Sequence, residues 1–445
     1  MAEKHVYKDA PISASVFNEL NRLVWGPNLK EDVFRRWSQG FVFSEDEPTA
    51  LVQFEGGPCA IIAPLQGFLL KYAIFKYGDV NWRFVSTYEA SLFLIHAMTE
   101  ILQQCSSKSY YVAYMPTSTP DLKLADDDES SGSSYNNQDD IPKSEEENFR
   151  TNLRLARVEG LEEVDSIYRT TMNVLDQQFG VLSFLYSVLL TKGISQVKNE
   201  MEDPNEPLID GTYGHGSQCL INLMLTGKAC SNVWDNDKDI SGLKLRGIST
   251  QSSVGFLTLL EHLRYCEVGW FLKCPEYPIW VIGSETHLTV LFAKERGLCS
   301  PETPEAAARR IFKSYDPEGN NFISTILLGD VLCALDLVAD AEYVEVMKQK
   351  LDSEGLGIIL LNTFMEEFYP DEGRSAVPEK FILYHYNGLK RSCPNGKVKF
   401  AEGNATIYEE DLKCVADATP VLTCLQTKWP SIEVNWSSDV APSII

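Results

Sequence analysis

The sequence predicts an α+β chain, because helical patterns fill the front, strand patterns gather toward the back, and a helical insertion precedes the last strands. Residues 13–25 and 30–37 space their apolar residues as helices do. So do residues 86–105, where Ser86 or Thr87 stands in position to cap. The following YYVAYM reads as a strand. Helical patterns resume from Phe149 through the Leu182–Leu190 segment, then in CLINLMLTGKACSNVW and over 252–266. Residues 277–293 read as a strand broken at Gly283. Residues 302–369 are helical again, and strands return at 381–390 and in LQTKWPSIEVNW.

Composition narrows the class. At 445 residues, 44% hydrophobic and 23% charged, the chain is globular in character. Its formal charge of −24 gives a phosphate polyanion nothing to bind, so nucleic acid and anionic membranes are not expected partners. The longest apolar run, Phe179–Leu190, falls well short of the roughly 20 residues a bilayer requires and reads as a buried helix. MAEKHVYKDAPIS lacks an apolar signal core, and the 11 cysteines are an odd number with no C-x-x-C. A reduced intracellular protein of cytoplasm and/or nucleus is expected. Residues 121–150 carry ten acidic against three basic residues, which predicts an exposed acidic insertion.

One cysteine has a context suited to chemistry. In Gln53-Phe-Glu-Gly-Gly-Pro-Cys59-Ala the glycines permit a tight turn and Pro58 suits a helix start. Ile61, Ile62, Leu65, Phe68, Leu69 and Tyr72 follow at helical spacing. Cys59 therefore falls in a first helical turn, where free N–H groups favour a thiolate; Pro64 predicts a kink further on. The alternative for Cys59 is a small buried hydrophobe. Of the six histidines, His287 stands where a strand restarts after Gly283-Ser-Glu. Such a site can hold an imidazole rigidly, which makes His287 the preferred base for Cys59.

The insertion repeats a theme. Asp316-Pro-Glu318-Gly-Asn320 follows a helix, and Asp352-Ser-Glu354-Gly returns 36 residues later, each with isoleucine at the eighth loop position. This is the pattern of a paired EF-hand-like module. The twelfth positions, Leu327 and Thr363, lack the bidentate glutamate, and Asn321 and Leu356 weaken the loops further. Hard Ca²⁺ takes about six to eight oxygens, so no metal is expected and the module reads as structural or partner-binding. The expected divisions are a main domain over 13–301, the module over 302–370, and strands completing the main domain over 376–437.

QFEGGPCA, followed far downstream by IWVIGSETHLTV, resembles the MINDY family of cysteine deubiquitinases, in its branch with an EF-hand-like insertion. VFRRWSQGFVFSE, PLIDGTYGHGSQCLINLMLTGKACSNVWD and CLQTKWPSIEV extend the likeness across most of the chain. The resemblance implies a papain-like fold and hydrolysis of isopeptide bonds in polyubiquitin, with a preference for the lysine-forty-eight linkage. It implies Cys59 as nucleophile, His287 as general base and Gln53 as an oxyanion donor. Papain-like order puts Asn387 in place to orient His287, with His385 as competitor. The 211–217 loop with His215, and Trp234, are candidates for gripping ubiquitin, although core packing suits Trp234 equally. No cofactor is implied, the partners are polyubiquitin chains and ubiquitinated proteins, and a monomer is expected. Two other readings stand beside this one: an inactive ubiquitin-binding protein on the same fold, and an EF-hand-type adaptor.

Overall fold

The computed structural model describes residues 9–78, 81–106, 108–116, 144–240, 242–300, 303–316, 319–370, 377–408, 419–438 and 440–445. The chain divides into one unit made of Met1–Arg296 with Glu379–Ile445, and a second made of Gly297–Pro378.

Local capping rules set the front helices of the first unit. Ser13 accepts the Val16 N–H to start helix Ala14–Trp25. Ser86 and Glu89 exchange bonds at the start of Thr87–Cys105, satisfying donors that a helix leaves free. Helix Glu31–Trp37 presents Phe34 and Trp37 to Trp25, with the two indoles edge to face at 5.8 Å.

Several segments differ from expectation. The last residues of the acidic stretch form helix Glu145–Asn152, which buries Phe149 completely among Phe17, Phe34, Phe179 and Tyr186. One aromatic with a core to enter outweighs the polarity around it, so the exposed insertion does not extend to 150. Residues 121–143 of that stretch lie outside the described residues. Arg154–Val158 is a strand where a helix is expected. It pairs antiparallel with Tyr110–Tyr114 and Asp9–Pro11, burying Ala156 and Val158 around the exposed Arg157. That alternation has a period of two, too short to stand out from sequence. Helix Gln218–Thr226 stops at Gly227, well before Trp234. Within 252–266, Gly255–Thr258 is a fully buried parallel strand and only Leu259–His262 is helical. A short apolar run suits either state. Residues 425–426 end helix Pro420–Gln426, which leaves the last strand at Ile432–Trp436.

Two features position the site. The first is helix Cys59–Lys71, every residue of which is buried. It runs through Pro64 without a break, and the departure from α geometry comes later, in the π turn Tyr72–Lys76. The combined run Cys59–Lys76 is apolar and long enough to cross a membrane, but 78% of it is buried inside the fold, as befits a core helix. The second is a six-stranded sheet in the order Ile432–Trp436, Ala401–Ile407, Lys380–Tyr386, Leu288–Ala293, Ile279–Gly283, Gly255–Thr258. The cysteine helix packs on its central strands. Leu288–Ala293 and Lys380–Tyr386 run antiparallel with Val290 opposite Tyr386. The residue just before the first strand and the residue just after the second therefore meet at one end of these two central strands. Those residues are His287 and Asn387.

In the second unit, helices Pro304–Ser314, Leu328–Ala334, Ala341–Leu351 and Leu361–Phe368 enclose Phe312, Leu332, Met347 and Phe364. Two short strands join the halves, with Ile323 opposite Ile359. The Asp316 carboxylate accepts the Asn320 and Asn321 N–H groups, and Asp352 accepts those of Leu356 and Gly357. Both carboxylates thus close their own loops. Among the described residues, no group of three His, Cys, Asp or Glu side chains could hold a metal ion.

Candidate active site

Cys59 is the first residue of its helix, with Pro58 as the cap and a turn at Gly57 whose φ of +141° excludes most side chains. The side chain is only 5% exposed. Burial pushes the thiol up to about 11, against the Leu288, Ala60 and Cys59 N–H groups, which favour the thiolate. The expected bias toward a thiolate at the helix start is therefore present but outweighed by desolvation. The thiol donates to the Gly57 carbonyl at 3.7 Å, and Leu288, whose N–H is among the groups that favour its thiolate, directly follows His287 in the chain.

His287 is held from both sides. Its N–H donates to Ser284 Oγ at 3.0 Å, and its carbonyl accepts the Ser284 N–H at 3.0 Å, so the Ser-Glu-Thr turn fixes the backbone. Its Nε2 lies 3.0 Å from Asn387 Oδ1. The same oxygen accepts the Leu389 N–H at 2.9 Å, while Asn387 Nδ2 donates to the Ser443 carbonyl at 3.0 Å. These bonds fix which end of the amide faces the ring. Nε2 must carry the proton, which leaves Nδ1 as the basic nitrogen. Burial lowers the pKa of His287; the Asn387 bond opposes that, and the nearby positive charges of Arg391 and His215 add to it. His385, the competing orienter, is fully buried, bonds Thr289 Oγ1 at 3.0 Å, and is pushed down to about 3. It stays neutral and is engaged elsewhere.

Gln53 joins this group through the backbone. Its N–H donates to the Gly388 carbonyl at 2.8 Å, and its carbonyl accepts the Lys390 N–H at 3.0 Å, so it runs alongside the segment that follows Asn387. Its Nε2 donates to the Glu55 carbonyl at 2.9 Å, which keeps the side-chain amide on the Cys59 turn. Gln39 Nε2 donates to the same carbonyl at 3.0 Å.

The 211–217 loop borders the site. A Cβ on Gly216 would lie 2.4 Å from Ala60 Cβ, so only glycine lets the loop rest on the cysteine helix. Arg36 donates to the Gly56 carbonyl at 2.8 Å and to the Tyr213 carbonyl at 2.9 Å, and Trp37 Nε1 donates to the Gly214 carbonyl at 2.9 Å. These side chains fasten the loop to the glycine turn. The loop thus brings His215 near His287, with the exposed Tyr213 stacked on its ring at 6.3 Å. Trp234 belongs to another neighbourhood. Its carbonyl accepts the Ile248 N–H, and Lys238 Nζ sits 4.6 Å from its ring. Sequence reasoning did not single out Arg36, Trp37, Gln39, Arg391 or Ser443. Arg36 and Trp37 look like ordinary helix residues, and backbone carbonyls reached across hundreds of positions leave no local pattern.

A cysteine opening a buried helix, a histidine with a fixed tautomer, an asparagine behind it and a glutamine amide before the cysteine can together carry thiol acyl transfer. These are the groups that a cysteine hydrolase would use. Residues 22–316 match a family model described as "Deubiquitinating enzyme MINDY-3/4, conserved domain". The chain is 51% identical over 436 residues to a Xenopus tropicalis protein named "Ubiquitin carboxyl-terminal hydrolase MINDY-3", covering 96% of this chain and 99% of that one. The human protein of that name is 50% identical over 439 residues, covering 96% and 98%. The Drosophila melanogaster homologue is 46% identical over 462 residues, covering 96% and 82%. The chain belongs to the MINDY-3/4 family of deubiquitinating enzymes. No solved structure matches it.

Proposed function

We propose that this chain is a cysteine deubiquitinase that hydrolyses isopeptide bonds in polyubiquitin, with the lysine-forty-eight linkage as preferred substrate. The observation that carries the reading is the His287–Asn387 bond at 3.0 Å, with Leu288, the next residue, against a cysteine at a helix start. It stands in a chain about half identical, over nearly its whole length, to proteins named ubiquitin carboxyl-terminal hydrolases.

His287 Nδ1 takes the proton from Cys59 Sγ as the sulfur attacks the carbonyl of ubiquitin's terminal glycine. The oxyanion forms near the Cys59 N–H, and Gln53 swings its amide toward it. The imidazolium then protonates the departing lysine amine. His287 next removes a proton from water, which attacks the thioester, releasing the ubiquitin carboxylate and restoring the thiol. Asn387 holds the ring in one tautomer throughout. The His215 loop forms a wall of the groove for the glycine tail, and the net −24 suits the basic residues that precede it. The fold that presents these groups is read as papain-like, and Gly297–Pro378 as an EF-hand-like pair that docks or packs without metal.

The test is cleavage of ubiquitin dimers of each linkage by the full chain. Release of monomer from the lysine-forty-eight dimer, lost in Cys59→Ala, is expected. A wild-type chain that cleaves none of the dimers or longer chains would overturn the reading.

A further inference from the structure

The Asn387 amide has two ends of similar shape and opposite polarity. With Oδ1 toward His287, the ring keeps its proton on Nε2 and Nδ1 stays basic. Turned over, the amide would offer an N–H to Nε2, move the ring proton to Nδ1, and remove the base. Two partners enforce the productive orientation. The Leu389 N–H is local, but the Ser443 carbonyl reaches Nδ2 from 56 positions away.

Next to Ser443 stands one deeply buried side chain. Among the described residues after Trp436, Ile444 alone is buried, at 1% exposure, while Val440 is 75% exposed. Ser443 Oγ and the Ile445 backbone also bond one another, which shapes a turn around the buried side chain. The geometry points to Ile444 as a positioning residue of the reaction: its burial pins the C-terminal segment so that the Ser443 carbonyl holds the Asn387 amide, and through it His287, in the productive orientation. This rests on the thiol-hydrolase reading above.

The experiment uses the full chain and a ubiquitin bearing a C-terminal fluorogenic amide. Ile444→Asp and the milder Ile444→Ala lower kcat by about tenfold, the scale of one lost hydrogen bond, with KM nearly unchanged. In an Asn387→Ala background the same substitutions add less than twofold, because their route to the ring is already gone. Ile444→Val retains activity, and so does Val440→Asp on the same segment. Ile444→Ala with wild-type kcat, or losses that multiply in the double variant, would overturn the inference. A second readout needs no turnover: nitrogen-15 shifts of His287 in Cys59→Ala protein report a single Nε2–H tautomer, mixed when Ile444→Ala is added. An unmixed tautomer in that variant overturns the inference by itself. Absence of turnover in wild type bears instead on the proposed activity.

Discussion

Alkylation of Cys59 by iodoacetamide tests the resting charge state of the site. Burial raises the thiol from an ordinary 9.0 to about 11, and burial also lowers the imidazole pKa of His287. Both shifts favour a neutral pair over a thiolate–imidazolium pair. At pH 8, a thiol near 11 is ionised in roughly one molecule in a thousand, against roughly one in ten for an ordinary thiol. Ionisation alone then makes Cys59 about a hundredfold slower to alkylate than an exposed cysteine at that pH. The rate should climb about tenfold per pH unit from 7 to 10 with no plateau, because the thiolate fraction keeps rising toward its pKa. The assay must resolve peptides by mass spectrometry, since Cys333 is exposed and would dominate a bulk thiol count. An inflection below pH 7 followed by a flat rate would refute the reasoning and mean a preformed ion pair. A neutral resting site would leave ionisation to the moment when substrate meets the histidine.

Gly216→Val puts a branched side chain where even a Cβ would sit 2.4 Å from Ala60 Cβ. It should lift the loop off the cysteine helix and lower kcat/KM by at least about tenfold, while far-ultraviolet dichroism stays native. Wild-type kinetics would mean the loop takes no part. Phe149→Ala empties a fully buried aromatic site and should cost about 3–5 kcal/mol in denaturant unfolding. A change below about 1 kcal/mol would mean the end of the acidic stretch is not part of the core.

Legibility followed range. Rules that act within one turn could be read directly: Ser86 as a cap, Pro58 before the helix that Cys59 opens, the break at Gly283 before His287. Segments where two periods compete could not. Gly255–Thr258 is a run of four buried residues that suits a strand or a helix, and neighbouring strands decide it. Arg154–Val158 becomes a strand because Tyr110–Tyr114 is there to pair with. In the site, Asn387 was reached through the order of residues in a resembled family, since its contact with His287 depends on sheet register and not on spacing. The carbonyls of Ser443, Gly56 and Tyr213 do structural work through the main chain, which side-chain identity cannot reveal.

The central claim is that Cys59, assisted by His287, attacks the C-terminus of ubiquitin. A ubiquitin whose last residue carries an electrophile captures that attack in one covalent bond. Intact-mass analysis should find one added ubiquitin on the wild-type chain, peptide mapping should locate it on Cys59, and His287→Ala should slow its formation. Labelling that persists in Cys59→Ala, or that never forms on the folded wild-type chain, would contradict the account.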